Sequence, residues 1–359
     1  MLNISKLTAA FSNKFKKKKG TAAMKNIKEK FLKNLKEINS ALDQTTKRSK
    51  ELTLLMTLYL MGETSINSSP ITTRQKNRLY NLLSELREDM CLDDIYSFYE
   101  RALLKIIEPI LKEFKSLSTI SKEYRKSLIM SIDDTSLEVF GKSMQGAKKL
   151  HNGKKYFNGY HIVFIGLSLG KDFRIPISFR IYRPDTGETR IHLASEMLDE
   201  IIPVLIKNPR MIAFDSLYLS NELIDIIMKH RLTWVSKLKK NRIVGVSGND
   251  YEKLTGQLLL FNKFYYKLPF QAKVCIEKMK RLGIETVHVF KNEIGEYVIT
   301  YNEENSIIAC SDKKLRQKRI VWFYKLRWVI EEIFRVMKQC IAFTKVYYRS
   351  IKGQPLIHG

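Results

Sequence analysis

The stretch Tyr324–Lys338, with the sequence YKLRWVIEEIFRVMK, presents four functional side-chain types at helical spacing. They are the phenol, guanidinium, carboxylate and ammonium groups of Tyr324, Arg327, Glu331 and Lys338. At about 100° per residue, these positions fall within roughly 60° of one another on a helix. The opposite face carries an apolar stripe that is typical of core packing, made of Trp322, Leu326, Ile330, Ile333 and Met337. The spacing predicts one continuous amphipathic helix, although a polar face of this kind is most often a solvated surface.

Aspartates follow two apolar segments elsewhere in the chain. Leu128–Ile132 runs into Asp133 and Asp134, and Met211–Phe214 stops at Asp215. Mg²⁺ prefers oxygen ligands, and a few protein carboxylates suffice when water and phosphate oxygens complete its shell. Two such ions about 3.5–4 Å apart can activate a water or a 3′ hydroxyl at a phosphodiester. With Glu331 as a third acid, the pattern predicts a site for hard divalent cations.

The charge of the chain favours a polyanionic partner. Its 359 residues include 63 Lys and Arg against 37 Asp and Glu, for a formal net charge of +26. Neutralising phosphates releases counterions and drives association, so this excess predicts nucleic-acid binding. A Lys-, Asn- and Ile-rich composition that follows from base-composition bias is the alternative explanation.

Neither zinc, disulfides nor a membrane is indicated by the sequence. Cys91, Cys275, Cys310 and Cys340 are widely scattered and form no CxxC pair. The longest apolar run, Leu52–Met61, is too short to span a bilayer. A reducing cytoplasm is therefore the expected location.

Periodicity divides the chain into four parts. Residues 1–125 are predicted to be helical and basic, with one helix over Thr73–Met90, and they are a candidate DNA-binding region or a plain helical packing domain. Residues 126–238 alternate strands and helices, which argues for an α/β sheet with helices on its faces. Residues 239–318 are predicted to form an antiparallel β segment with a hairpin at Asn292–Gly295. Residues 319–359 hold the predicted catalytic helix and the end of the core.

These residues resemble a family, the bacterial insertion-sequence DDE transposases that carry the Y-R-E-K signature, Y-x2-R-x3-E-x6-K. Every spacing of the signature is met by Tyr324, Arg327, Glu331 and Lys338. The two acidic blocks of the family resemble Ile132–Leu137 and Ile212–Ser216. The resemblance covers about residues 128–355.

The resemblance implies a ribonuclease-H-like core with a mixed sheet, two Mg²⁺ ions for which Mn²⁺ can substitute, and cut-and-paste transposition. It implies that Glu331 is the third metal ligand, while Tyr324, Arg327 and Lys338 grip phosphates near the cleaved end. The expected partners are the terminal inverted repeats and the target, both double-stranded DNA, and a second copy of the chain on that DNA. The segment 239–318 then resembles the β-rich insertion domain of the family.

The first metal ligand stays open between two neighbours. Successive residues of a strand point to opposite faces, so only one of Asp133 and Asp134 is expected to reach the metals. The acidic-Asp-Thr pattern of some relatives favours Asp134. Asp215 has no such competitor.

Further basic residues lie between the second acidic block and the insertion. Lys237, Lys239, Lys240 and Arg242 are candidates for contacting backbone phosphate. A hairpin intermediate is not predicted, because the three tryptophans, Trp234, Trp322 and Trp328, lie outside the middle of the insertion. Phe264, Tyr265 and Tyr266 are alternative stacking residues, although strand core is the commoner role.

Two other functions remain in view. Only 21 residues follow Lys338 (359 − 338), fewer than in typical relatives, which leaves a truncated, catalytically inactive DNA-binding remnant as one alternative. A ribonuclease-H-like nuclease that hydrolyses DNA without strand transfer is the other.

Overall fold

A computed structural model describes residues 71–88, 128–139, 147–151, 155–169, 173–183, 187–205, 211–255 and 270–340, with a few isolated positions before residue 105. In chain order, its elements are α1 (Thr73–Glu88), β1 (Leu128–Glu138), β2 (Lys148–His151), β3 (Tyr156–Leu169), β4 (Phe173–Tyr182), α2 (Arg190–Val204), β5 (Met211–Phe214), α3 (Asn221–Lys229), β6 (Thr233–Lys237), β7 (Ile243–Val244), α4 (Gly248–Thr255), β8 (Phe270–Gln271), α5 (Ala272–Arg281), β9 (Thr286–Asn292), β10 (Gly295–Tyr301), β11 (Ile307–Cys310), α6 (Gln317–Lys325) and α7 (Trp328–Cys340).

The chain divides into two units, of which the first contains residues 1–116, 136–161 and 334–359. Within it, α1 buries Leu79 and Leu82. Strand β2 pairs antiparallel with the start of β3, from Lys148 opposite Gly159 to His151 opposite Tyr156. A Cβ on Gly159 would lie 2.3 Å from the carbonyl oxygen of Leu137, so only glycine allows this close approach of the backbones.

The second unit, residues 117–135 and 162–333, contains most of a mixed sheet. The strand order is β4, β3, β1, β5, β6, β11, β10, β9. Strand β5 is parallel to both β1 and β6, whereas β6, β11, β10 and β9 pair antiparallel in turn. The predicted α/β class, with a mixed sheet flanked by helices, is confirmed, and the arrangement is compatible with a ribonuclease-H-like fold.

Alternation along the strands supplies both faces of this sheet with core residues. On one face, Ala213 and Val235 pack in a cluster with Ile320, Phe323 and Leu326 from α6 and the turn after it. Trp234, the neighbour of Val235, is on the other face, where its ring contacts Phe214 and Tyr297. Because both faces are covered, the central strand β5 reads as the uninterrupted apolar run MIAF.

Helices α2 and α3 begin where a hydroxyl side chain caps their first turn. Thr189 accepts a hydrogen bond from the backbone N–H of His192, and Ser220 accepts one from that of Leu223. These caps determine where α2 and α3 begin. The predicted helix over Thr73–Met90 corresponds to α1, and the predicted hairpin at Asn292–Gly295 joins β9 to β10.

The prediction of one continuous helix over Tyr324–Lys338 is wrong. Helix α6 ends at Lys325 and α7 begins at Trp328. Between them the backbone tightens, since Arg327 N–H bonds to the carbonyl of Tyr324 and Ile330 N–H to that of Arg327, each at 3.0 Å. Periodicity misses this break because tertiary contacts of Leu326 and Arg327, rather than propensity, hold the turn.

The segment predicted as a β-rich insertion, residues 239–318, holds β7 to β11 together with helices α4 and α5. Its last three strands extend the main sheet beside β6. The aromatic run Phe264–Tyr266, the Lys-rich N-terminal stretch and most of the region 1–125 lie outside the described residues. No described helix is long and apolar enough to cross a membrane.

Candidate active site

Two aspartates lie side by side where the parallel pairing of β1 with β5 ends, at the carboxyl end of β5 and within the longer strand β1. Ile132 pairs with Phe214, so Asp133 and Asp215 come next at the same level of adjacent strands. Side chains at matching positions of neighbouring strands point to the same face. The register therefore brings together the first and second acidic blocks that the sequence predicts.

Arg327 links Asp133 to the signature segment Tyr324–Lys338. Its guanidinium donates a hydrogen bond of 2.6 Å from Nη1 to Asp133 Oδ2 and one of 2.8 Å from Nη2 to Glu331 Oε1. The side chain of Glu331, in the first turn of α7, is 38% exposed, against 15% for Arg327 and 19% for Asp133. A planar guanidinium thus holds two of the predicted acids at once.

The carboxyl group of Asp133 is electrostatically unsatisfied despite this partner. Burial raises its pKa to about 6, and the charges of Asp134 and Asp215 also raise it. Arg327 and a 2.9 Å hydrogen bond from the backbone N–H of Asp134 act in the opposite direction. A group of acids with this pKa gains from an additional cation close by.

Asp134 lies in a different environment. Tyr218 donates its hydroxyl hydrogen to Oδ1 at 3.0 Å, and Arg190 donates to Oδ2 at 2.8 Å. Both carboxylate oxygens are therefore engaged by protein groups. The sequence preferred Asp134 over Asp133 as the first metal ligand. Of these two neighbours, Asp133 is the one that shares the guanidinium of Arg327 with Glu331. Strand alternation turns the neighbouring side chain to the other face.

Tyr324, at the end of α6, borders the same acids. The guanidinium carbon of Arg327 lies 5.6 Å from the centre of its ring. Burial raises the pKa of the Tyr324 phenol, an effect that Arg327 opposes and the charge of Asp215 reinforces. The phenol therefore remains protonated and can donate a hydrogen bond.

Lys338, the fourth signature residue, lies in the last turn of α7 and belongs to the first unit. Burial lowers the pKa of its ammonium group. Of the four signature residues, Arg327 and Glu331 are therefore hydrogen-bonded to each other and Tyr324 lies beside Arg327. Lys338 belongs to the other unit.

The four predicted basic contacts beyond β5 divide into two kinds. Lys237, Lys239 and Lys240 are exposed at the carboxyl end of β6, which is parallel to β5. Arg242 instead donates to the backbone carbonyl of Leu219 at 3.1 Å and to Glu293 at 3.2 Å. These contacts tie Arg242 into the fold, as its side-chain exposure of 18% shows.

Two residues of the site were not singled out from the sequence. Tyr218 follows Asp215 by three positions and is fully buried, and Arg190 opens α2. An Asp-x-x-Tyr spacing after a buried strand is the only sequence signal for Tyr218. For Arg190 no local pattern exists, because its partner Asp134 is 56 positions away.

The donor chemistry at this edge suits a hard divalent cation. Asp133, Asp215 and Glu331 offer carboxylate oxygens, the ligands that Mg²⁺ prefers. Within the described part of the chain, no three His, Cys, Asp or Glu side chains are already grouped as a metal site. The guanidinium of Arg327 stands between two of the acids and supplies positive charge there.

Comparison with known proteins identifies the family. A family model described as a transposase DDE domain matches residues 124–354, which is 231 of 359 positions (354 − 124 + 1). A comparison with curated proteins found no match. The matched region contains β1, β5 and α7, the elements that carry Asp133, Asp215 and Glu331. The chain belongs to the family of transposase DDE domains.

Proposed function

We propose that this protein is a cut-and-paste DNA transposase that cleaves the ends of a bacterial insertion sequence and transfers them into target DNA. Membership of the transposase DDE domain family supports DNA as the substrate. The observation that carries the proposal is the double contact of Arg327, which joins Asp133 to Glu331 beside Asp215. This contact links two of the three proposed carboxylates, and the pairing of β1 with β5 sets the third, Asp215, level with Asp133.

The family generally uses divalent metal ions, and two Mg²⁺ ions, or Mn²⁺, are the proposed cofactor. Asp133, Asp215 and Glu331 would hold them. When bound, such ions supply Lewis-acid activation of a water or 3′ hydroxyl and stabilise the leaving oxygen of a phosphodiester. Burial raises the pKa of Asp133 to about 6, so this carboxyl is mostly ionised at neutral pH even without a cation beside it.

The remaining signature residues are proposed to bind phosphate. The guanidinium of Arg327 bonds to Asp133 and Glu331, and its positive charge would attract a phosphate that reaches these acids. Tyr324 carries a protonated phenol, and Lys338 an ammonium group on a flexible stem. Lys237, Lys239 and Lys240 would extend this contact along the backbone, whereas Arg242 is committed to Leu219 and Glu293.

The domain organisation is part of the proposal. Residues 1–125 would contribute a helical, basic DNA-binding region, 126–238 and 319–359 the ribonuclease-H-like core, and 239–318 the insertion. Two DNA ends must be processed together in cut-and-paste transposition, so two copies of the chain are expected on the DNA.

Cleavage of the element's own ends tests the function. The full chain is incubated with Mg²⁺ and duplexes that carry the inverted repeats flanking its gene, and products are resolved as nicked, hydrolysed or joined to target DNA. Glu331→Gln is expected to abolish nicking and to leave end binding intact. Glu332→Gln is the matched control, because Glu332 is the next residue of α7 and its carboxylate pairs with Arg174.

Joined products would support transposition, and hydrolysis without joining would instead identify a ribonuclease-H-like nuclease. Undiminished nicking by Glu331→Gln would overturn the assignment of the site.

A further inference from the structure

Helix α6 and the turn before it carry an exposed basic surface that the site does not use. Six exposed cations occupy thirteen positions, Lys313, Lys314, Arg316, Lys318, Arg319 and Lys325. Their acidic neighbours are few: Lys313 pairs with Glu296, and Lys325 lies 3.7 Å from Glu303, which is 90% exposed. The other four form no ion pair with any carboxylate in the described residues. The surface is therefore left with uncompensated positive charge.

The position of this charge on the helix makes it more costly. The first turn of α6 has no acidic residue, and no side chain caps its N-terminus. Cations near a helix N-terminus are disfavoured by the helix dipole, typically by about 0.3–1 kcal/mol each at the surface. A cost of this kind, without an internal counterion, is relieved when an anion binds.

The apolar residues of α6 are packed inside the protein, which argues against binding of this helix to lipid. Ile320 and Phe323 are buried in the core of the second unit, so the helix has no exposed apolar face to insert into a membrane. Trp322 is partly exposed, but the guanidinium of Arg319 lies 5.8 Å from the centre of its ring. Stacking of this kind holds an arginine in an orientation suited to phosphate.

We infer that this basic surface binds the phosphate backbone of double-stranded DNA. The inference rests on the proposed function, since it assigns a second contact for the same substrate. Helix α6 has nine residues and is about 13 Å long, the rise of roughly four base pairs. It also ends at Lys325, two residues before Arg327, so DNA lying along α6 continues towards the acids.

The salt dependence of DNA binding tests this inference. Binding of the full chain in EDTA is measured over a range of salt concentrations with two duplexes of equal length, one carrying an element end and one unrelated. Each phosphate neutralised on B-DNA contributes about 0.9 to the slope of log K against log salt. The variant Lys314→Gln/Lys318→Gln is expected to lower the magnitude of that slope by about two.

Two control variants separate backbone contact from a change in fold or total charge. Lys253→Gln/Lys273→Gln removes two lysines that are 64% and 63% exposed but pair with Asp250 and Glu277, and the slope is expected to stay unchanged. Lys314→Arg/Lys318→Arg retains both charges and is expected to restore the slope of the unmodified protein.

If Lys314→Gln/Lys318→Gln has a smaller slope with both duplexes, the surface contacts DNA backbone of any sequence. If its slope is smaller with the end duplex alone, the surface contacts the element end. An unchanged slope with both duplexes, or an equal fall in the Lys253/Lys273 variant, would overturn the inference. Because EDTA prevents cleavage, the result is independent of catalysis: a chain that fails to cut can still show the fall in slope.

Discussion

Arg327 Nη1 lies 2.6 Å from Asp133 Oδ2, a contact that joins the signature segment to the first strand of the sheet across 194 positions. The same guanidinium binds Glu331, four residues later in the first turn of α7. One side chain thus determines how two acids from opposite ends of the core approach each other. The first predictions concern this pair and the residues that hold it in place.

Arg327→Ala is expected to lower the free energy of unfolding by about 2–4 kcal/mol. Removing one partner of a buried pair leaves an uncompensated charge at Asp133, and the exposure of Glu331 reduces the cost below that of a fully buried pair. Urea unfolding in EDTA measures the change. Arg319→Ala, an exposed arginine of the same region, serves as the control and should stay within about 0.5 kcal/mol. Equal losses in the two variants would contradict the role of the contact.

The pH dependence of stability should report the raised pKa of Asp133. Its pKa rises from 3.8 to about 6 on folding, so between these values the folded state binds the proton more tightly than the unfolded chain does. The contribution of Asp133 to the unfolding free energy of the metal-free protein is therefore expected to fall as pH rises from about 4 to 6. Asp133→Asn should flatten this part of the profile, while Asp225→Asn, an exposed acid, should leave it unchanged. If the unmodified protein and Asp133→Asn changed in parallel between pH values of about 4 and 6, the raised pKa of Asp133 would be refuted.

Asp134→Asn is expected to affect stability more than metal affinity. The oxygen of the new amide can still accept the hydrogen bond from Tyr218, but its NH₂ group then faces the guanidinium of Arg190, another donor. The lost hydrogen bond is expected to lower the free energy of unfolding by about 1–3 kcal/mol. Calorimetric titration with Mn²⁺ should give an affinity within about threefold of that of the unmodified protein, a difference of ~0.65 kcal/mol. The reason is that Arg190 and Tyr218 already hold both oxygens of Asp134. Asp133→Asn should instead weaken Mn²⁺ binding at least tenfold. The reverse ranking would return the first ligand to Asp134, as the sequence pattern favoured.

Gly166→Ala is expected to disturb the packing of α7 against β3. A Cβ at this position of β3 would lie 3.3 Å from Cδ1 of Ile333 and 3.5 Å from Cγ1 of Ile330, on the helix that carries Glu331. Overpacking of this kind typically costs about 1–3 kcal/mol. Cleavage and thermal unfolding would both be measured, and both are expected to decline.

A compensating change provides the control for that substitution. Ile333→Val removes Cδ1, the atom closest to the added methyl group, so the double variant Gly166→Ala/Ile333→Val should recover part of the lost stability. Strict additivity of the two single effects would show that the contact does not limit the packing of α7.

Several strands and the helix α1 could be predicted because local signals coincide with them, whereas α4 and α5 lie in a segment that was expected to be β. The run Met211–Phe214 is uniformly apolar, and the strand matches it. Asn292–Gly295 forms a turn whose glycine adopts a positive φ of 85°, as hairpin chemistry requires. The continuous helix over Tyr324–Lys338 failed because its break depends on side-chain contacts with β1, which periodicity does not contain.

By itself, the sequence determined which residue types are available and where apolar runs give way to carboxylates, because burial and backbone propensity leave a local pattern. Only the tertiary structure decided how they group. Pairing of β1 with β5 sets Asp133 level with Asp215, and the alternation of strand faces turns Asp134 towards Tyr218 and Arg190. Contacts between residues so far apart in the chain depend on register and packing, which no local pattern encodes.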